Sequence, residues 1–211
     1  MLTRWSSNAD SRNRLVAATR LEVGDVLRAD IMRTYDYLQG SRLRRAVNCL
    51  RSPGVQAVIV FRFGQWLDLQ AWLLRLPLYP LYFVLNGLVK IVWGIELPRS
   101  ATIGPGLYIG HFGGITIAPG AVIGGNCNIS QQITIGLSGQ GERAGVPTIG
   151  DNVYLAPGAR VFGKISVGNN VKIGANAVVY QDVPDNAIVA LEPGFRIVSY
   201  KGNRDPVDGN A

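Results

Sequence analysis

Histidine occurs once in the 211 residues and cysteine twice, and charged side chains make up only 17% of the chain. A single histidine excludes any site that needs three imidazoles from one chain, a three-histidine zinc enzyme included. Two cysteines, Cys49 and Cys127, support neither a disulfide scaffold nor a cysteine-rich zinc site. No metal is expected, and a reducing, cytoplasmic setting is the simplest for the two thiols. The first thirty residues, Met1 to Asp30, lack the apolar run of a signal peptide. The apolar stretch Leu76–Val89 (LPLYPLYFVLNGLV) is only 14 residues long, is bounded by Arg75 and Lys90, and contains Pro77 and Pro80. That is shorter than the roughly 17–25 residues of a spanning helix. Burial at a subunit interface is the first expectation for it, and contact with a membrane surface, peripheral at the inner face, is the second. At 47% apolar the chain is not disordered, and its length suits one or two domains with a sizeable core.

The net charge of +7 lies entirely in residues 1–95, where 13 cations, 12 of them arginine, face 6 acids. Residues 96–211 carry 8 charges of each sign. Such a basic segment can attract phosphate groups or an anionic membrane, or be a solvated helical face or a subunit contact. No RNA- or DNA-binding signature accompanies it, so nucleic acid is not an expected partner.

The chain changes character near residue 96. Before it, Val26–Leu38, Leu43–Leu50, Val55–Leu69 and Trp72–Val92 show the three- and four-residue apolar spacing of helices, punctuated by Ser52-Pro53-Gly54 and the two later prolines. After it a six-residue period takes over. With two insertions allowed, the sixfold step reads Leu97, Ile103, Ile109, Ile117, Ile123, Ile129, Ile135, Ile149, Leu155, Val161, Val167, Ile173 and Val179. All thirteen are aliphatic. Four residues on, the chain is small or aliphatic, Cys127 among these positions, and the residue before that is often Gly or Asn, the types that enter the left-handed turn conformation most cheaply. A hexapeptide period reads as a β-helix, one strand and one turn per hexad, three hexads per triangular coil and about four coils in all. The period does not set its hand. The expected class is α+β: a basic helical domain over 1–95, a β-helix over 96–190, and a C-terminal extension over 191–211 whose end lacks fixed structure.

Loops on a rigid repeat scaffold commonly carry function, so the two register breaks matter most. The first adds two residues within Ile109–Thr116 (IGHFGGIT), and the second adds eight within Ile135–Thr148 (IGLSGQGERAGVPT). The sole histidine, His111, lies in the first, among Gly110, Gly113 and Gly114, which leave room for a ligand. Imidazole is the natural general base for a hydroxyl near neutral pH, although a lone histidine is more often a satisfied polar residue. No nucleophile elbow, P-loop or dinucleotide fingerprint competes with it.

Gly94-Ile95-Glu96-Leu97, Ile103-Gly104-Pro105-Gly106-Leu107, Gly110-His111, Ile133-Thr134-Ile135-Gly136, Val171-Lys172-Ile173-Gly174-Ala175 and Asp182-Val183-Pro184-Asp185-Asn186-Ala187, with Pro193-Gly194-Phe195-Arg196-Ile197 after them, resemble the serine O-acetyltransferase family. The resemblance implies a left-handed β-helix and an acyltransferase using acetyl-CoA as co-substrate. It implies a catalytic pair of His111 as base and Glu96, fifteen residues upstream, as the carboxylate that orients the ring. Glu stands where the family usually has Asp. The resemblance also places the coenzyme against Ser138, Gly139, Ala156, Pro157, Gly158, Lys172, Ala175 and Arg196, in a groove between subunits of a homotrimer or a dimer of trimers. Lys172 and Arg196 suit phosphate as point charge and fork.

The acceptor side departs from the family pattern. Gly110 replaces the acid before the histidine, Gly145-Val146-Pro147 replaces the Arg-His-Pro that grips the serine carboxylate, and Asp36 is the one acid left of the helical-domain element. Arg143, two residues before the family's arginine position, is the nearest substitute. Serine brings two charges, each needing a partner. The expectation is therefore a saccharide or glycan-precursor hydroxyl as acceptor, with a polysaccharide O-acetyltransferase-like branch of the family. The alternatives are L-serine, feeding cysteine synthesis, and a non-catalytic β-helix scaffold.

Overall fold

The computed structural model describes residues 23–138 and 144–192. Four helices come first: α1 Val23–Tyr37, α2 Arg42–Arg51, α3 Pro53–Asp68 and α4 Trp72–Leu88. The Ser41 hydroxyl accepts from the Arg44 amide at the start of α2, and Pro53 opens α3 where an N–H would have no partner anyway. The helix expected over Trp72–Val92 forms, and Pro77 and Pro80 do not punctuate it. Instead α4 runs through both and continues as a π-helical turn, Val89–Trp93, which stops at Gly94 with φ +61°. Tertiary packing overrides the local signal here. Leu78, Tyr82, Leu85, Val89 and Trp93 recur every three or four residues and join the core, offsetting the two lost backbone bonds.

Fourteen strands of two or three residues follow, β1 (Ile95–Glu96) to β14 (Ile188–Val189). All pairing within the sheets is parallel, and the strand orders are β1-β4-β7-β10-β13, β2-β5-β8-β11 and β3-β6-β9-β12-β14. A strand therefore pairs with the one a full coil away, and three sheets form the faces of a left-handed triangular prism. Two faces carry five strands and one carries four, a little more than the expected four coils. Strands β1 to β13 belong to the thirteen hexads, and one extra rung, β14, lies after Val179.

Every one of the thirteen aliphatic first positions is buried. Among the fifth positions Cys127, Ile133 and Val171 are buried too, whereas Gly113 and Ile165 are half-exposed. The residues before them take the left-handed conformation as their type suggests: Gly106, Gly120, Asn126, Asn152, Gly158, Asn170 and Asn176 all have positive φ. Asn152, Asn170 and Asn186 also stack side chain to side chain, amide to carbonyl, at 2.9 and 2.7 Å.

Burial pushes the Cys127 thiol up to about 11. At pH 8 only about a thousandth of it is thiolate. Cys127 is expected to resist iodoacetamide in the native protein and to react when the chain is unfolded in urea. Mass spectrometry of the alkylated peptide checks this, and rapid native labelling would contradict the inward placement.

Candidate active site

Four turns stack along the prism edge between the β3 and β4 sheets. They are the β3–β4 loop with His111, the β6–β7 turn with Gln131 and Gln132, the β9–β10 turn Ala156-Pro157-Gly158, and the β12–β13 turn with Ala175 and Asn176. Backbone bonds tie each to the next: Gln132 N to Gly113 O at 2.8 Å, Gly158 N to Gln131 O at 3.1 Å, and Asn176 N to Pro157 O at 2.9 Å. The expected base and the expected donor residues Ala156, Pro157, Gly158 and Ala175 thus share one edge. Gly158 has φ +76° and lies so close to the Asn176 side chain that no Cβ fits. Lys172 sits exposed on β12 with its ammonium 5.6 Å from the centre of the Tyr154 ring.

His111 is solvent-exposed, and so is Gly110. Gly113 (φ +100°) and Gly114 (φ +67°) give the loop its shape, and Phe112 braces it edge-on against the Trp93 ring, 5.3 Å between centres. Glu96 lies one coil away, on β1, in register with Thr116 of β4. Among the described residues its carboxylate is bound to Lys90, at 2.5 Å, and makes no hydrogen bond with His111. The two expected partners are therefore on neighbouring rungs but not joined.

Gly110 has a physical reason. A Cβ there would stand 2.9 Å from Cε1 of Tyr108, whose ring is itself packed on Tyr37 at 4.5 Å. The aromatic pair occupies the space an acid at 110 would need. Burial pushes the Tyr108 phenol up, so it stays protonated. Asp36, next to Tyr37, is exposed and pairs with Arg45 at 3.3 Å. Ser138 forms an antiparallel bridge with Gly145 that closes the base of the second excursion, with both amides bonded at 3.1 Å. Val146 packs against the core, and Gly145 lies against Lys164. Gly139, Arg143 and Arg196 lie outside the described residues.

Three groups escaped the sequence reading. Lys90 is the only cation between Arg75 and Arg99, six residues before Glu96, and that isolation was its signal. Tyr108 alternates out of the core and carried none. Gln131 Oε1 is the one buried side-chain oxygen or nitrogen without a hydrogen-bond partner among the described residues, and it lies in the turn stacked beside the His111 loop. An exposed imidazole, a carboxylate on the neighbouring rung and an open, Gly-lined edge together suit proton removal from a hydroxyl.

Comparison with known proteins gives the same direction. The family described as bacterial transferase hexapeptide (six repeats) matches residues 147–181. A serine acetyltransferase of Synechococcus elongatus is 38% identical over 74% of this chain and 62% of its own length. One of Helicobacter pylori is 36% identical over 63% of this chain and 74% of its own. The solved serine acetyltransferase of Neisseria gonorrhoeae in complex with serine superposes with a TM-score of 0.65 at 29% identity, over 86% of this chain and 71% of that one. The chain spans 62% and 60% of the first two curated relatives it matches. These relatives carry the name serine acetyltransferase, and none of them supports the expected polysaccharide branch. Repeat, fold and relatives agree, and the chain belongs to the serine acetyltransferase family.

Proposed function

We propose that this chain is an O-acetyltransferase that moves the acetyl group of acetyl-CoA to a hydroxyl, with L-serine as the acceptor its relatives favour. The observation that carries this reading is the shared edge: His111 stands in the same stack of turns as Ala156, Pro157, Gly158 and Ala175. Those turns would hold the coenzyme with Ser138, Gly139 and Arg196, and Lys172 would meet its phosphates. Acetyl-CoA supplies an activated thioester carbonyl. His111 takes the proton from the acceptor hydroxyl as that oxygen attacks the thioester carbonyl, and Glu96 steadies the ring from the adjacent rung. The C–S bond then breaks as the proton passes from His111 to the departing CoA sulfur. A homotrimer or pair of trimers would complete the groove, working in the cytoplasm.

Serine needs a cation for its carboxylate, and Lys90 is bound to Glu96, whose strand pairs with β4 at the end of the His111 loop. Lys90 thus replaces the cation that Gly145-Val146 cannot supply. A saccharide hydroxyl remains a second reading, favoured by one observation: Tyr108 fills the space of the acid at 110 that would otherwise meet the serine ammonium.

The test is CoA release from acetyl-CoA with L-serine and a panel of sugars. Turnover with serine at a Michaelis constant between about 1 μM and 1 mM is the expected result. Lys90→Met should then raise that constant about 10- to 100-fold, the worth of one charged hydrogen bond, with less effect on turnover. Sugar acetylation with serine ignored, and indifference to Lys90→Met, would put the second reading in its place.

A further inference from the structure

The segment Trp72–Trp93 is a continuous helix of 22 residues, longer than the 14-residue apolar stretch within it, and its 18-residue window of mean hydropathy 1.4 is only 11% buried. One stripe of it belongs to the core, as described above. The opposite stripe, Leu73, Leu76, Phe83, Val84, Leu88 and Ile91, points to solvent, with Phe83 71% and Ile91 84% exposed. At 3.6 residues per turn all six fall on the side opposite Leu78, Tyr82, Leu85 and Val89, with exposed Pro80 between Leu76 and Phe83, so they form one apolar face. A helix apolar on both sides is one that has a second partner.

That partner is not reached by crossing a bilayer. Arg99, from the first coil of the β-helix, donates to Asp68 at 2.5 Å and to Tyr79 Oη at 3.1 Å. Its guanidinium also stands 5.1 Å from the ring centres of Tyr79 and Tyr82. The middle of α4 is thereby pinned to the β-helix and to α3. A spanning position would drag the Arg99–Asp68 pair and the first coil into hydrocarbon.

The charges say what lies against the face. Helix α2 (RLRRAVNCLR) has no acid, buries only Cys49, and exposes Leu43, Val47 and Leu50 at the spacing of a single helical stripe. Its Arg42, Arg44 and Arg51 are exposed and form no ion pair among the described residues. An apolar stripe flanked by arginines is the pattern of a helix lying in a membrane interface. The C-terminal ends of α2 and of the α4 segment converge on one side chain: Gln56 donates to Leu50 O and accepts from the Trp93 indole, each at 3.1 Å. A second copy meeting this region about a twofold axis would set α2 arginines against α2 arginines, whereas anionic headgroups would neutralise them.

We propose that α2 and the outer face of α4 dock the protein onto an anionic lipid surface, lying on the bilayer and not through it. Trp93 sits at the edge of this region and holds Phe112, the neighbour of His111. Docking therefore brings the candidate active-site loop close to the lipid headgroups. The inference stands on exposure and charge, and does not depend on which acceptor is used.

Co-sedimentation of the full-length protein with vesicles tests it, comparing phosphatidylcholine alone with phosphatidylcholine containing about one third phosphatidylserine. Binding is expected only to the anionic vesicles, with an affinity that falls as salt is raised. Arg42→Gln and Arg44→Gln should each weaken it about fivefold. Phe83→Glu should weaken it at least tenfold, circular dichroism showing the fold unchanged because the side chain is exposed. Light scattering on the same samples supplies the contrary outcome. If the protein ignores both vesicles, or if Phe83→Glu lowers the molecular mass in lipid-free solution, the face is covered by another copy and the proposal is overturned.

Discussion

Acetyl transfer is expected to fall about 100- to 10,000-fold when His111 is replaced by alanine, the range for loss of a general base. The side chain is exposed and bonded to nothing in the described residues, so stability should hardly change. Coenzyme binding, measured by calorimetry with CoA, should survive, because the donor turns stand on later coils. Glu96→Gln is expected to cost less than the histidine change. Its carboxylate is bound to Lys90 at 2.5 Å and makes no hydrogen bond with His111, so at rest it does not hold the ring. Turnover in the alanine variant within a few-fold of the parent would reject His111 as the base. Equal losses in the two variants would mean that Glu96 leaves Lys90 and binds the ring once substrate is present.

The repeat was the most legible part of the chain, because each hexad has the same job. Ile123, Val161 and Ile173 each fill one layer of the same prism, and each Asn or Gly before the fifth position turns the same corner. Local pattern and global structure coincide there. The His111 loop was legible for the complementary reason, as the place where the period fails. Long-range contacts were not. Pro77 and Pro80 look like breakers until the packing of Tyr82 and Val89 is known. The absence of an acid at 110 reads as a lost charge, and the structure shows an aromatic ring in its space. Nor could spacing show that Lys90 folds back on Glu96. The acceptor depends on such contacts, which is why the expectation of a sugar gave way to the serine acetyltransferase relatives.

The largest stability loss is expected at Asp30, which ties the helices to the β-helix. Its carboxylate accepts from Arg62 Nε at 2.9 Å and from the Leu107 amide at 2.7 Å, while Arg62 also donates to the carbonyls of Ile103 and Gly104, each at 2.8 Å. Both side chains are almost wholly buried, at 1% and 2% exposure. Burial pushes the Asp30 carboxyl up, and Arg62 and the Leu107 amide pull it back towards the charged form. Removing one partner strands the other. Asp30→Ala leaves a buried guanidinium without its counter-charge and a buried amide without an acceptor, which costs about 3–5 kcal/mol. Replacing both members by apolar residues of similar size, Asp30→Leu with Arg62→Met, removes the stranded charge as well. The double variant should therefore lose much less than the sum of the single variants. Urea unfolding followed by circular dichroism measures all three. A single-variant loss below about 1 kcal/mol would show that water reaches Arg62, and that the helices are held to the coil mainly by the apolar cluster of Val58, Phe61 and Leu107.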